Sequence, residues 1–240
     1  MIKWEHFHSN DLKEKYLYRF LSNGNLEKFL QTGNIWMARA DTFGDKMECV
    51  NLKDLTKDKP PIAEIEERKK KHLISCWHLA TNESLAMWDT YVSDINKRRV
   101  LAIRFDTKTL ISKVESQLHF NSLPNEAFKL IAGTVQYKNL LRNSKELSDA
   151  DRVRYVAFRK EYVFKYENEF RFVIQGQNRF ATLGIDFHLG KPQDLSFSIL
   201  VNPLLEKEEY VKTRAKILDG QFANKFTEST LTKWLKPELW

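Results

Sequence analysis

Glycine is scarce in this sequence, at eight residues in 240. There is no Gly-x-Gly-x-x-Gly run and no phosphate-binding loop with its Lys and Ser/Thr, which excludes the two nucleotide signatures built on close backbone approach at glycine. Cysteine is scarcer still. Cys49 and Cys76 are distant in sequence and supply neither a disulfide framework nor the spacing of zinc ligands. A nucleophile elbow is missing, as is the pair of His at i, i+4 that marks a metalloprotease helix. No apolar run approaches the roughly 20 residues of a membrane helix. The opening Met1-Ile2-Lys3-Trp4-Glu5-His6 is charged and aromatic, unlike a signal peptide. Repeats and low-complexity segments are also missing. The expectation is a cytoplasmic, bacterial-type protein with no membrane partner and no metal site.

What is present is enough apolar sequence for a core. Hydrophobic residues make up 42% and charged residues 30%, the balance of a globular chain and not of a disordered one. The length fits one large domain over 1–240, with the charged stretch 52–71 read as a helical insertion. Lys and Arg outnumber Asp and Glu by 39 to 32, for a net charge of +7, which favours a polyanionic partner. The candidate phosphate contacts are Lys97, Arg98, Arg99, Arg152, Arg154, Arg159 and Lys160. The densest basic run, Arg68-Lys69-Lys70-Lys71, follows Glu64, Glu66 and Glu67 and reads as a solvated helix face.

Hydrophobic periodicity sketches the elements. Strands are expected at 16–20, 35–38, 73–78, 100–105, 132–137, 169–174, 180–186 and 196–201, and helices at 25–33, 58–71, 82–93, 107–119, 148–160 and 207–218. Asn25 is the expected cap of the first helix and Gly33 its terminator. Strands and helices intersperse without a regular βαβ rhythm. That points to an α+β fold, a central mixed or antiparallel sheet with flanking helices.

The run most suggestive of chemistry is Phe164-Lys165-Tyr166-Glu167-Asn168-Glu169-Phe170-Arg171-Phe172-Val173-Ile174. Read as one strand, it places Glu167, Glu169 and Arg171 on one face and Asn168, Phe170 and Phe172 on the other. Two carboxylates about 7 Å apart on a rigid strand suit a site that holds one group and activates another. The alternative is a solvent-facing strand with a Glu–Arg pair. Cys76 and His78 likewise share a strand face, with no third member visible, and read as a buried Cys beside a hydrogen-bonded His. Asp45, Glu48, Glu167 and Glu169 are the carboxylates that would have to gather around a hard cation.

Several motifs taken together resemble the bacterial family known as domain of unknown function 2971. Tyr16-Leu17-Tyr18-Arg19-Phe20, Asn25-Leu26 and Gly33-Asn34-Ile35-Trp36 match its opening strand, helix and strand. Phe43-Gly44-Asp45-Lys46-Met47-Glu48 stands at its Phe-Asn-Asp-Pro-Phe-Glu turn, with Gly44, Lys46 and Met47 as departures. Cys76-Trp77, Met87-Trp88 with Tyr91, Val135-Gln136-Tyr137 and Phe164 to Arg171 match further family segments, the last a Trp-x-x-Glu-x-Glu-x-Arg motif with Phe164 at the Trp position.

The order of elements is similar to that of ADP-ribosyltransferase folds. This second resemblance implies NAD as substrate, with Arg19 on its pyrophosphate and Ser75, Tyr91 or Trp88 at the nicotinamide. It implies Glu169 as the catalytic carboxylate stabilising an oxocarbenium-like transition state, and Glu167 orienting or deprotonating the acceptor. The enzyme implied is a transferase of the toxin or phage-defence kind, with nucleic acid or protein as acceptor and a neutralising partner. Two other readings stand beside it: a nucleic-acid-binding or nucleic-acid-cleaving protein, and a non-enzymatic binding module in which the Glu-x-Glu-x-Arg segment is structural. The last requires Glu167, Glu169 and Arg171 to pair with one another or with Arg19.

Overall fold

The computed structural model describes residues 2–5, 12, 15–51, 54, 61–92, 100–118, 128–139 and 156–239. Their strands are β1 (Lys3–Glu5), β2 (Tyr16–Leu21), β3 (Asn34–Arg39), β4 (His72–Ala80), β5 (Leu101–Asp106), β6 (Phe128–Thr134), β7 (Gln136–Lys138), β8 (Arg159–Glu161), β9 (Glu169–Gly176), β10 (Gly184–His188) and β11 (Ser198–Val201). The helices are α1 (Asn23–Thr32), α2 (Ile62–Lys69), α3 (Leu85–Val92), α4 (Thr107–Gln117), α5 (Lys207–Leu218) and α6 (Thr230–Leu235). The fold is α+β with a mixed parallel and antiparallel sheet, the class expected from the interspersed elements.

The chain divides into two compact units. The first comprises 1–11, 35–77 and 119–187, and the second 12–34, 78–118 and 188–240. In the first unit β1 runs parallel to β6 and β6 antiparallel to β9, with Ala132 opposite Phe172 and Gly133 opposite Arg171. β3 pairs antiparallel with β4, Ala38 facing Ile74, and β7 and β8 form a separate parallel pair. Glu169 through Ile174 of β9 are all buried, so this strand is covered on both faces. On the face that carries Arg171, Val173 packs with Ala40, Cys49, Ile74, Ile131, Ala157 and Phe158. The opposite face carries Phe170 and Phe172, whose rings meet edge to face at 5.3 Å.

In the second unit β2 pairs antiparallel with the end of β4 and with the full length of β5, and β5 pairs antiparallel with β11. Tyr18, Phe20, Met87, Trp88, Ala102 and Leu200 form one core cluster, with Phe20 edge-on to Trp88 at 4.7 Å. Phe29, Phe105 and Phe197 form an aromatic group, Phe29 edge-on to Phe197 at 5.2 Å and Phe105 stacked on it at 5.6 Å. The cap of α1 is Ser22, which accepts from Asn25 N at 3.3 Å. This corrects the expected Asn25 cap: Asn25 donates its backbone N–H to the cap from inside the first turn. Gly33 closes the helix as expected, in the left-handed region at φ 68° with its N–H on Phe29 O at 2.7 Å.

Other boundaries differ for physical reasons. The expected helix over 148–160 is replaced at its end by a 3₁₀ turn, Val156–Phe158, and β8; 148–155 lie outside the described residues. The run Arg68–Lys71 is not a uniformly solvated face, because Lys69 is buried and its ammonium reaches Glu66 at 3.0 Å and Lys46 O at 3.3 Å.

Gly33 tests this packing. A Cβ there would lie 1.8 Å from Gly190 O, on top of the left-handed conformation. Gly33→Ala is expected to destabilise by about 2 kcal/mol or more in urea titration. Gly24→Ala, within α1 and with nothing within 4 Å of the new Cβ, is expected to stabilise by roughly 0.5–1 kcal/mol.

Candidate functional site

The Glu-x-Glu-x-Arg segment does not form a single strand. Tyr162–Glu167 is a 3₁₀ turn, Asn168 follows in the left-handed region at φ 39°, and β9 begins at Glu169. Asparagine tolerates this backbone better than most residues. The consequence is a correction: Glu167 and Glu169 do not share a face by strand alternation. They meet because the kink at Asn168 brings both carboxylates to one ammonium, that of Lys160 on β8. Lys160 Nζ donates to Glu167 Oε2, and to Glu169 Oε1 at 3.2 Å, while lying 4.6 Å from the centre of the Phe164 ring.

Arg171, two residues along β9, is fully buried. Its Nε donates to Glu169 Oε2 at 2.6 Å. Its Nη1 and Nη2 donate to the two oxygens of Glu48 at 2.6 and 3.1 Å, and Nη1 also donates to Ala157 O at 2.6 Å. This two-pronged geometry suits the planar guanidinium. Glu48 is itself buried, and Cys49 beside it has a positive φ of 57°. The Tyr137 hydroxyl accepts from Glu169 N at 2.8 Å. The cluster thus holds three carboxylates, Glu48, Glu167 and Glu169, against two cations, Lys160 and Arg171.

That imbalance is resolved by a proton. Burial first, then the hydrogen bond and charge of Glu169, push the Glu167 carboxyl up to about 7. For Glu169 burial also acts upward, but the Arg171 charge, the hydrogen bond with Glu167 and the Lys160 charge outweigh it and hold the carboxyl at about 2. One carboxyl is therefore poised to exchange a proton near neutrality beside another that stays ionised, the arrangement from which acid–base pairs are made. Burial and the charge of Glu169 push the Cys76 thiol up to about 12, which removes its nucleophilic character at neutral pH.

The remaining expected site residues fall elsewhere. Ser75, in the first unit, is buried and accepts from Trp77 Nε1 at 3.0 Å. Arg19, Trp88 and Tyr91 belong to the second unit. Arg19 is half-buried on β2 opposite Ile103. Trp88 is a core residue, fully buried, and its Nε1 donates to Glu83 at 3.2 Å; it presents no open ring face for stacking. Tyr91 lies in α3, and its side chain is outside the described part. His78, also of the second unit, packs near the Tyr18 ring at 6.2 Å and the Phe20 ring at 6.4 Å. Lys97, Arg98, Arg99, Arg152 and Arg154 lie outside the described residues.

Arg159 is buried on β8 beside Lys160, yet among the described residues its Nε has no hydrogen-bond partner and no ion pair engages it. Burial lowers its pKa. Tyr137, and the pairing of Glu48 with Arg171, are what the local pattern did not assign. Tyr137 carries no linear signal beyond a strand; the sequence groups Glu48 with Glu167 and Glu169 only as a carboxylate for a hard cation, and its partner here is the Arg171 guanidinium. The chain matches no family model, no curated protein and no solved structure.

Two outcomes test this electrostatic arrangement. Arg171→Met leaves Glu48 and Glu169 buried without their cation and is expected to destabilise by about 3–5 kcal/mol in chemical denaturation. The second is pH dependence. A carboxyl whose pKa is higher folded than unfolded contributes stability that is full below the ordinary carboxylate value of 4.5 and is lost as pH rises through about 7. Glu169 contributes in the opposite sense, its share being lost as pH falls from 4.5 towards 2. Unfolding free energy is therefore expected to decline between about pH 5 and pH 8, and Glu167→Gln to flatten that decline.

Proposed function

We propose that this chain binds nucleic acid and that Arg159 takes a phosphate oxygen of the bound strand. The observation that carries the reading is a guanidinium buried on β8 with no ion-pair partner among the described residues. An unpaired buried cation is costly, by several kcal/mol, unless an anion offsets it. A phosphate does so through charge-assisted hydrogen bonds. The net charge of +7 adds long-range attraction for a polyanion. In this reading the Glu48–Arg171–Glu169–Lys160–Glu167 cluster is the structural support of β8 and β9, and Lys160 is committed to its carboxylates and not to phosphate.

The test is fluorescence anisotropy of the full chain with labelled single-stranded and duplex oligonucleotides across 50–200 mM salt. Saturable binding that weakens steeply with salt is expected. Arg159→Gln is expected to weaken it severalfold in a variant whose circular dichroism is unchanged. Absence of binding at 50 mM salt, or binding indifferent to salt and to Arg159→Gln, overturns the reading.

A second reading is favoured by one specific observation, the proton-exchanging Glu167 beside the ionised Glu169. It is ADP-ribosyl transfer from NAD to nucleic acid or protein, as a toxin or phage-defence effector would perform it, with Glu169 opposite the developing positive charge and Glu167 handling the acceptor proton. Nicotinamide release from NAD by the wild-type protein, lost in Glu169→Gln while the fold persists, is the expected result. No release at millimolar NAD removes this reading and leaves the first intact.

A further inference from the structure

The second unit contains a cavity of about 250 Å³, on residues separate from those above. Its floor is sheet: Leu101 of β5 and Ile199 of β11. These lie on one face, because Leu101 pairs with Val201 and Ile199 is two residues from it. Leu26 and Leu30 of α1 form one wall, Ile217 of α5 forms the other, and Phe222 closes the end. Leu26, Leu101, Ile199 and Phe222 are buried, so the base of the space is packed apolar side chain, while exposed residues of α1 and α5 line a side that is open to solvent.

Six lining residues are polar: Asn23, Glu27, Gln31, Thr213, Lys216 and Gln221. Among them, Glu27 of α1 and Lys216 of α5 form an ion pair of 2.5 Å, with side chains 53% and 69% exposed. A pair this exposed holds the two helices together only weakly, by about 0–1 kcal/mol. It opens at little cost, and either partner can be captured by a charged ligand. An apolar body below and one ionic group at the frame is the pattern of a small-molecule site, in which apolar walls give affinity and a few placed polar groups give orientation.

The size sets the ligand. An apolar cavity of about 150 Å³ stays dry and accommodates benzene, so this one has room for a single substituted ring or an aliphatic chain of roughly eight carbons. The sign of the head group follows from the protein's field. With a net charge of +7, the chain attracts an anion in preference to a cation. We propose that this cavity binds a small monocarboxylate with an apolar body, its carboxylate drawing the Lys216 ammonium away from Glu27 and its chain or ring lying against Leu26, Leu30, Leu101 and Ile199.

Isothermal titration calorimetry of the full chain with octanoate, 1-octanol and octylamine tests this. Octanoate is expected to bind saturably at one site with a negative heat-capacity change, the mark of apolar burial. The neutral alcohol is expected to bind more weakly and the amine more weakly still. Lys216→Ala is expected to weaken octanoate about two- to fivefold and to leave octanol unchanged. Leu30→Trp fills the cavity and is expected to abolish both; should that variant not fold, Thr213→Phe obstructs the same space from α5 and carries the same expectation. No saturable octanoate binding by the wild-type protein, binding that survives the cavity-filling substitution in a folded variant, or a preference for octylamine overturns the proposal.

Discussion

The first unit depends on a guanidinium held out of water. Arg171 is fully buried in the middle of β9, where an unpaired charge would be prohibitive. Its burial is tolerable because three acceptors converge on it: Glu48 through both oxygens, Glu169 through one, and the Ala157 carbonyl. Those contacts link the turn after Phe43, the 3₁₀ turn before β8 and β9 itself. A close-packed apolar core could join the same elements with comparable energy, but not with the same directional demand, because each of these hydrogen bonds has a required angle and partner.

Satisfying Arg171 creates the next constraint. Glu169 turns one oxygen to Arg171 and the other to Lys160, and Lys160 in turn holds Glu167. The chain reaches this arrangement only by passing through the left-handed conformation at Asn168. Three carboxylates then face two cations; burial raises the proton affinity of Glu48 and Glu167, and the Glu169 charge raises that of Glu167 further, while Arg171 and Lys160 hold Glu169 ionised. The same charge arithmetic that ties β8 to β9 leaves an exchangeable proton on Glu167 beside the ionised Glu169. Arg159 is the contrasting case on the same short strand: a cation whose burial no described carboxylate compensates.

The second unit is organised differently. Its stability rests on aromatic packing, Phe20 with Trp88 and Phe29 with Phe105 and Phe197, and on antiparallel pairing of β2, β5 and β11. Trp88 and its neighbours are consumed by this core. The space between α1 and α5 is open, apolar at its base and framed by an exposed ion pair.

From the sequence alone came the α+β class, the long helix at 207–218 and the stop of α1 at Gly33; that β9 is buried on both faces came from the packing. The first three follow from hydrophobic period and from the conformational freedom of one glycine, both local properties. The sequence also marked Glu167, Glu169 and Arg171 as a group. Tertiary structure alone decided what they are paired with. Glu48 lies 123 residues from Arg171 along the chain, and no local pattern encodes that distance. The turn at Asn168 was hidden because the alternation of aromatic and charged residues from Phe164 to Ile174 fits a strand equally well until Lys160 offers the 3₁₀ turn a buried ionic partner. Likewise, Trp88 reads as a stacking platform or a core residue until Phe20 occupies its face. Periodicity is set by neighbours in sequence, whereas charge partners and cavities are set by which distant segments the packed sheet brings together.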